Sequence, residues 1–167
     1  MKGLEDSSYL IMLIAFNILA VIFLIAAIKW PRAGRLLFFA LFSWACCLNW
    51  VTSQNTPNDY LQYADLSLSD LYNNFIHGWF SNHTLLMVGF IATCQGLIAI
   101  SFLLKGWIYR VGSVGAIIFL LAIAPLGVGS GFPCTIIIAT ALYVLLREKP
   151  GYIWHKKHRQ EEIIVAY

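Results

Sequence analysis

Cys46, Cys47, Cys94 and Cys134 are the side chains best suited to redox chemistry, and four cysteines in a small apolar chain suggest a thiol-oxidising membrane protein. Their spacing argues for another role. Thiol–disulfide exchange usually runs through a Cys-x-x-Cys pair near water, whereas Cys46 and Cys47 are adjacent, Cys94 falls near the middle of an apolar run and Cys134 opens the last one. Adjacent residues also leave a helix in different directions, so the four read as small packing residues. His77 and His83 lie in the single long hydrophilic segment and could approach Asp59, Asp65 or Asp70, but their spacing matches no metal signature. The apolar runs contain no histidine, which disfavours a bis-histidine haem. The Asn82-His83-Thr84 triplet has the form of a glycosylation acceptor but abuts an apolar run and is common by chance.

Polar residues inside the apolar runs are more informative, because burying them in hydrocarbon is costly unless they meet a partner or a cavity. Asn17 and Gln95 both fall near mid-run, with Cys94 beside Gln95. Two readings stay open for these three residues. In one, Asn17 and Gln95 form hydrogen bonds between helices and orient them, and this is the better prior. In the other, Asn17, Cys94 and Gln95 receive the polar head of a quinone or lipid. The runs hold no Asp, Glu, Lys, Arg or His, so a proton relay or ion pathway lacks its usual groups.

The elements that must position these residues follow from composition. The chain has 167 residues, 60% hydrophobic and only 11% charged, where soluble domains carry about 25% charged residues. An all-α, polytopic transmembrane helix bundle in a single domain is expected, with no room beside the spans for a separate soluble catalytic domain. Residues 9–28, 36–52 and 84–104 each read as a crossing, the third opened by the cap-like Ser81-Asn82. The stretch 111–146 is too long for one crossing and is broken by Gly and Pro at 125–133, which predicts two short spans, 111–126 and 133–147. A four-span bundle with a broken last helix is the alternative. The first run is too long for a secretory signal core and is preceded by Glu5 and Asp6 where a signal would want basic residues, so it is expected to remain in the mature protein.

On the five-span reading, ten of the eleven Lys and Arg residues fall on one side, Lys2 being the exception. Glu5, Asp6, Asp59, Asp65 and Asp70 fall on the other. The positive-inside rule then places the N-terminus outside and the basic tail, 148–167, in the cytoplasm. His155 and His158, in the tail's WHKKHR segment, read as part of a surface for acidic lipid headgroups rather than for nucleic acid. The outer loop, 53–83, contains an i, i+3, i+4 pattern at Leu68, Leu71, Tyr72, Phe75, Ile76, Trp79 and Phe80. This predicts an interfacial amphipathic helix, with Ser67 or Ser69 as its cap. Gly89, Ala92 or Thr93, Gly96 and Ala99 form a small-residue stripe, and Gly112, Gly115 and Ala116 a second. Such faces admit close helix packing within one chain, and they also suit a second copy or a larger complex.

Three stretches within residues 63–147, FIHGWFSNH, CQGLIAISFLLKGWIYRVG and GAIIFLLAIAPLGVGSGFP, resemble the DoxX-like family of small bacterial membrane proteins. The resemblance covers about half the chain. It implies a four-helix core in the bacterial inner membrane and, for some members, association with quinone-linked sulfur oxidation or terminal oxidase complexes. Relatives often carry an acidic residue near the position of Gln95, and an amide there cannot release a proton. The leading expectation is therefore an accessory or structural subunit of a quinone-linked membrane redox system, in contact with membrane lipids and redox-complex partners. The alternatives are a quinone-dependent oxidoreductase using Asn17, Cys94 and Gln95, or a small transporter or lipid-binding protein whose moving element is the 125–133 break.

Overall fold

A computed structural model of the protein describes Glu5 and residues 7–147; the basic tail expected at 148–167, with His155 and His158, lies outside the described residues, as do Lys2 and Asp6. Seven α-helices follow in order: α1 (Ser7–Lys29), α2 (Pro31–Asn55), α3 (Gln62–Leu66), α4 (Asp70–Phe75), α5 (Thr84–Leu103), α6 (Gly106–Ile123) and α7 (Cys134–Arg147). No strand occurs among the described residues, and the chain is an all-α bundle.

Pro31 starts α2 because its fixed φ suits a first helical position, where a backbone N–H would have no partner within the helix. Only Trp30 separates α2 from α1, and Gly34 lets the two helices close, since a Cβ there would lie 3.2 Å from the Ala27 Cα. The second crossing therefore begins five residues earlier than hydropathy suggests, and it takes Arg35 into the helix. Only Leu104 and Lys105 separate α5 from α6, whose first residue, Gly106, has φ 69°. A left-handed backbone of that kind is glycine's to adopt at little cost.

The five longer helices form a closed ring in the order α1, α2, α5, α6, α7, with α7 returning to pack on α1. The Tyr109 hydroxyl, near the start of α6, donates to the Leu145 carbonyl near the end of α7 at 3.0 Å, so these two helices are antiparallel. Residues 124–133 thus reverse the chain. The interior is filled by rings: Phe23 on Phe38 at 4.9 Å, Phe38 on Phe102 at 5.6 Å and Phe42 on Phe102 at 5.9 Å between centroids. The stripes of small residues serve packing within the chain. Ala92 and Ala99 are buried, Gly89 faces the Trp50 ring of α2, and Gly96 faces the Cys46 Sγ. On α6, a Cβ at Gly112 would overlap the Ser101 side chain of α5.

Four helical segments, Ser7–Lys29, Pro31–Asn55, Thr84–Leu103 and Gly106–Ser130, are long and apolar enough to cross a bilayer. Their outward faces are apolar too: Ile11, Ile18, Leu86, Phe90, Leu97 and Ile118 are all more than half exposed. So much contiguous apolar surface requires lipid, and the protein is a multi-pass membrane protein. Charge divides between the ends of the ring. Lys29, Arg32, Arg35, Lys105, Arg110 and Arg147 cluster at one, hereafter the basic end, and all the described acids, Glu5, Asp59, Asp65 and Asp70, belong to the other.

Candidate functional site at the acidic end

Asn17 fixes the depth of the α6–α7 turn. Its Nδ2 donates to Leu13 O at 2.8 Å within its own helix and to Gly131 O in the turn at 3.4 Å. Asn17 lies ten residues into α1, so at 1.5 Å per residue the turn is recessed by about 15 Å from the start of that helix. α7, with only 14 residues, is therefore about 21 Å long and lacks its length at the acidic end. The 3₁₀ segment Ala124–Ser130 exposes carbonyls that hydrocarbon could not satisfy.

The 53–83 segment covers this recess and supplies the missing donors. Leu68 N and Ser67 Oγ both donate to Pro125 O, at 2.9 and 3.2 Å, and the Tyr72 hydroxyl donates to Ala122 O at 2.6 Å. Gly127 makes the close approach possible, with φ 65° and a position where a Cβ would meet Leu66 O at 2.7 Å. Ala64, Ile76, Phe80 and Val88 form a second small core, with Tyr63 and Leu126 packed against it.

The amphipathic segment is present but is not one helix. It comprises α4 and a π-helical turn, Ile76–Phe80, kinked at Gly78 (φ −88°, ψ −108°). Its apolar face splits accordingly, with Ile76 and Phe80 buried while Leu71, Phe75 and Trp79 stay exposed. Ser69 occupies the cap position of α4 without a side-chain cap bond, whereas Ser67 Oγ accepts from Ser69 N at 3.1 Å. The cap expected at Ser81-Asn82 is displaced: His83 precedes α5, and Ser81 Oγ donates to His77 O and Gly78 O.

Gln95, only 3% exposed, accepts a hydrogen bond from Asn49 Nδ2 at 2.8 Å, and Asn49 Oδ1 accepts one from the Tyr60 hydroxyl at 2.9 Å. One polar chain thus joins α5, α2 and the cover. Sequence alone does not single out Asn49, because it sits near the end of its apolar run among Thr52, Ser53 and Gln54, where an amide is unremarkable; its one signal is the three-residue step from Cys46, which puts the two on one helix face. Asn17 and Gln95 have different partners, one in the α6–α7 turn and the other on α2. Cys94 lies beside Gln95 and is half-buried. All four cysteines are free thiols, Cys134 being the buried one.

Burial raises the pKa of both Tyr60 and Tyr63 above the ordinary phenol value, and Asp59 nearby adds to the effect. The phenol of Tyr60 therefore stays protonated and remains a donor to Asn49. At the cover's surface His77 Nε2 lies 3.7 Å from Asp65 Oδ1, both exposed, and His83 stacks on Trp79 with centroids 4.4 Å apart. Among the described residues no three His, Cys, Asp or Glu side chains converge. Thr135, buried at the start of α7, is the one residue whose buried hydroxyl lacks a partner among the described residues.

At the basic end, Arg35 corrects the expectation that charge is confined to loops. It is 7% exposed, and its guanidinium donates to Phe102 O from Nε at 3.1 Å and from Nη2 at 2.8 Å, and also to Leu104 O. Its Cζ lies 4.3 Å from the centre of the Tyr109 ring. A buried charge is tolerable here because the last carbonyls of α5, which have no intrahelical donors, are its partners.

No protein-family model matches the chain, and neither the curated proteins nor the solved structures contain a detectable relative.

Proposed function

We propose that this protein is an accessory packing subunit of a bacterial inner-membrane assembly. Its basic end would face the cytoplasm and the covered recess the outside. The resemblance of residues 63–147 to DoxX-like proteins suggests a quinone-linked redox system as that assembly. One observation supports the packing role above the others: among the described residues, the interior polar groups other than the Thr135 hydroxyl are engaged with one another or with backbone. Gln95 is held by Asn49, Asn49 by Tyr60, Asn17 by Gly131 and Arg35 by the end of α5. Interleaved rings fill the space between them. Such a bundle offers its outer faces, rather than its interior, to other molecules. The positive-inside rule supports the orientation.

Isolation in a mild detergent, followed by identification of co-purifying proteins and extracted quinones, tests the proposal. Membrane redox proteins should accompany the chain, and the Gln95→Leu variant should carry the same quinone content as the wild type. A chain that purifies alone with bound quinone, lost in Gln95→Leu, would replace the accessory role with a quinone-dependent oxidoreductase.

A further inference from the structure

The stretch from Leu68 to Phe80 has three faces. At about 100° per residue, Asp70, Asn74 and His77 share one and are exposed, while Tyr72, Ile76 and Phe80 share a second that turns inward, Tyr72 to the end of α6 and the other two into the cover's small core. Leu68, Leu71, Phe75 and Trp79 share the third. All four are exposed, and Leu71, at 75%, is more so than any other large apolar side chain among the described residues. An amphipathic helix between a core and water needs only two faces. An outward apolar face calls for a third environment.

Depth identifies it. α5, with 20 residues, is about 30 Å long, which is the thickness of a bilayer's hydrocarbon core. α6 starts beside the basic end of α5, and Ala122 follows Gly106 by sixteen residues, so the Ala122 carbonyl lies about 24 Å from that end and within the core. Tyr72 donates to this carbonyl, and Leu68 N donates to Pro125 O, in the turn that goes on to the level of Asn17. The stretch is thus fastened below the headgroup level of the acidic end. Continuity points the same way. Val114, Ile118 and Leu121 form an exposed apolar stripe along α6, part of the surface that faces lipid, and Leu71, next to Tyr72, carries that stripe past Ala122.

We propose that Leu68, Leu71, Phe75 and Trp79 form a latch inserted into the leaflet at the acidic end, packed against its acyl chains, and that the bilayer is the partner that keeps the cover shut. Trp79 stacks on His83, the residue that precedes α5, and so takes the headgroup level, where an indole ring is favoured. Leu71, beside the Ala122 level, lies deeper. The segment therefore slopes into the leaflet, whereas a continuous interfacial helix would lie flat along it. This proposal does not depend on the accessory role above.

Tryptophan fluorescence of the full chain in phosphatidylcholine vesicles tests it, with the Trp79→Phe variant subtracted so that the difference reports Trp79 alone. Lipid brominated on the acyl chain close to the headgroup should quench that difference most, lipid brominated near the end of the chain less, and aqueous iodide least. Quenching by iodide without quenching by brominated lipid would put the face in water, and protection from both would put it against a second copy or another protein; either result overturns the latch. Leu71→Asn changes one exposed side chain, and amide exchange across 57–80 in the same vesicles should quicken about tenfold. Asn74→Ser, on the polar face, should leave that exchange as it is. An unchanged rate in Leu71→Asn, or an equal rise in both variants, would also overturn the proposal.

Discussion

At the basic end the chain turns in one or two residues, at Trp30 and at Leu104-Lys105, and a buried guanidinium ties three helices together. At the acidic end the connections are long, one turn lies about 15 Å below the start of α1, and a separate segment of short helices is laid over it. Both ends solve the same problem, which is that helix termini leave carbonyls without donors. The basic end uses one charged side chain reaching a few carbonyls directly. The acidic end uses a domain-like cover with its own small core, held on by Leu68 N, Ser67 and Tyr72. A single side chain gives a rigid joint, whereas a cover fastened by neutral hydrogen bonds and a few buried side chains can open without the bundle unfolding.

The largest effect should come from breaking the joint. Arg35→Met removes the charged donors to Phe102 O and Leu104 O and is expected to destabilise the bundle by about 3 kcal/mol, since hydrogen bonds to charged groups contribute about 1.5–3 kcal/mol each and the lost burial penalty offsets part of the sum. Thermal or denaturant unfolding in detergent should show one cooperative loss that includes the helices far from Arg35. Gly127→Ala tests the cover. A side chain there meets Leu66 O in a backbone region that is nearly glycine's alone, at a cost of about 2 kcal/mol. Amide exchange should quicken across 57–80 while the protection of α2 and α5 near Arg35 stays as it was; a uniform rise would mean that cover and bundle are one cooperative unit.

A smaller effect is expected where the two regions meet. Asn49→Leu leaves Gln95 and Tyr60 without their shared partner and should cost about 1 kcal/mol, with a similar coupling between Asn49 and Gln95 in a double-mutant cycle. The smallest concerns pH. Because the folded state raises the pKa of Tyr60 and Tyr63, the unfolded chain loses these protons first as pH rises, and stability falls with pH. The cover should therefore be indifferent to pH up to about 10 and weaken above it, towards the raised folded values. Monitoring cover opening by amide exchange or tyrosinate absorbance should show the alkaline loss displaced to higher pH in Tyr60→Phe/Tyr63→Phe.

Parts of the candidate site were legible and parts were not, for reasons visible at individual residues. Gln95 and Asn17 stand out because each interrupts an otherwise apolar run, and both do make long-range hydrogen bonds, to Asn49 and Gly131. Asn49 does not stand out in its more polar company. Arg35 reads as a loop residue because charge normally ends a span, yet Pro31 begins the helix ahead of it and the α5 carbonyls hold it. The amphipathic pattern of 68–80 located the cover's apolar residues, but periodicity could not foresee the kink at Gly78 that divides them between a core and the surface.

The sequence by itself determined that the chain is a membrane bundle, where its long helices run and which basic and acidic residues share an end. Those properties are sums over neighbouring residues, and hydropathy and charge add up along the chain whatever the packing. Only the tertiary structure decided that 124–133 reverses the chain deep within the bundle, that 53–83 covers it, and that Gln95 belongs with Asn49 and Tyr60 rather than with Asn17. Each of these depends on which carbonyl meets which donor across tens of residues, and that pairing is fixed by the packing of whole helices.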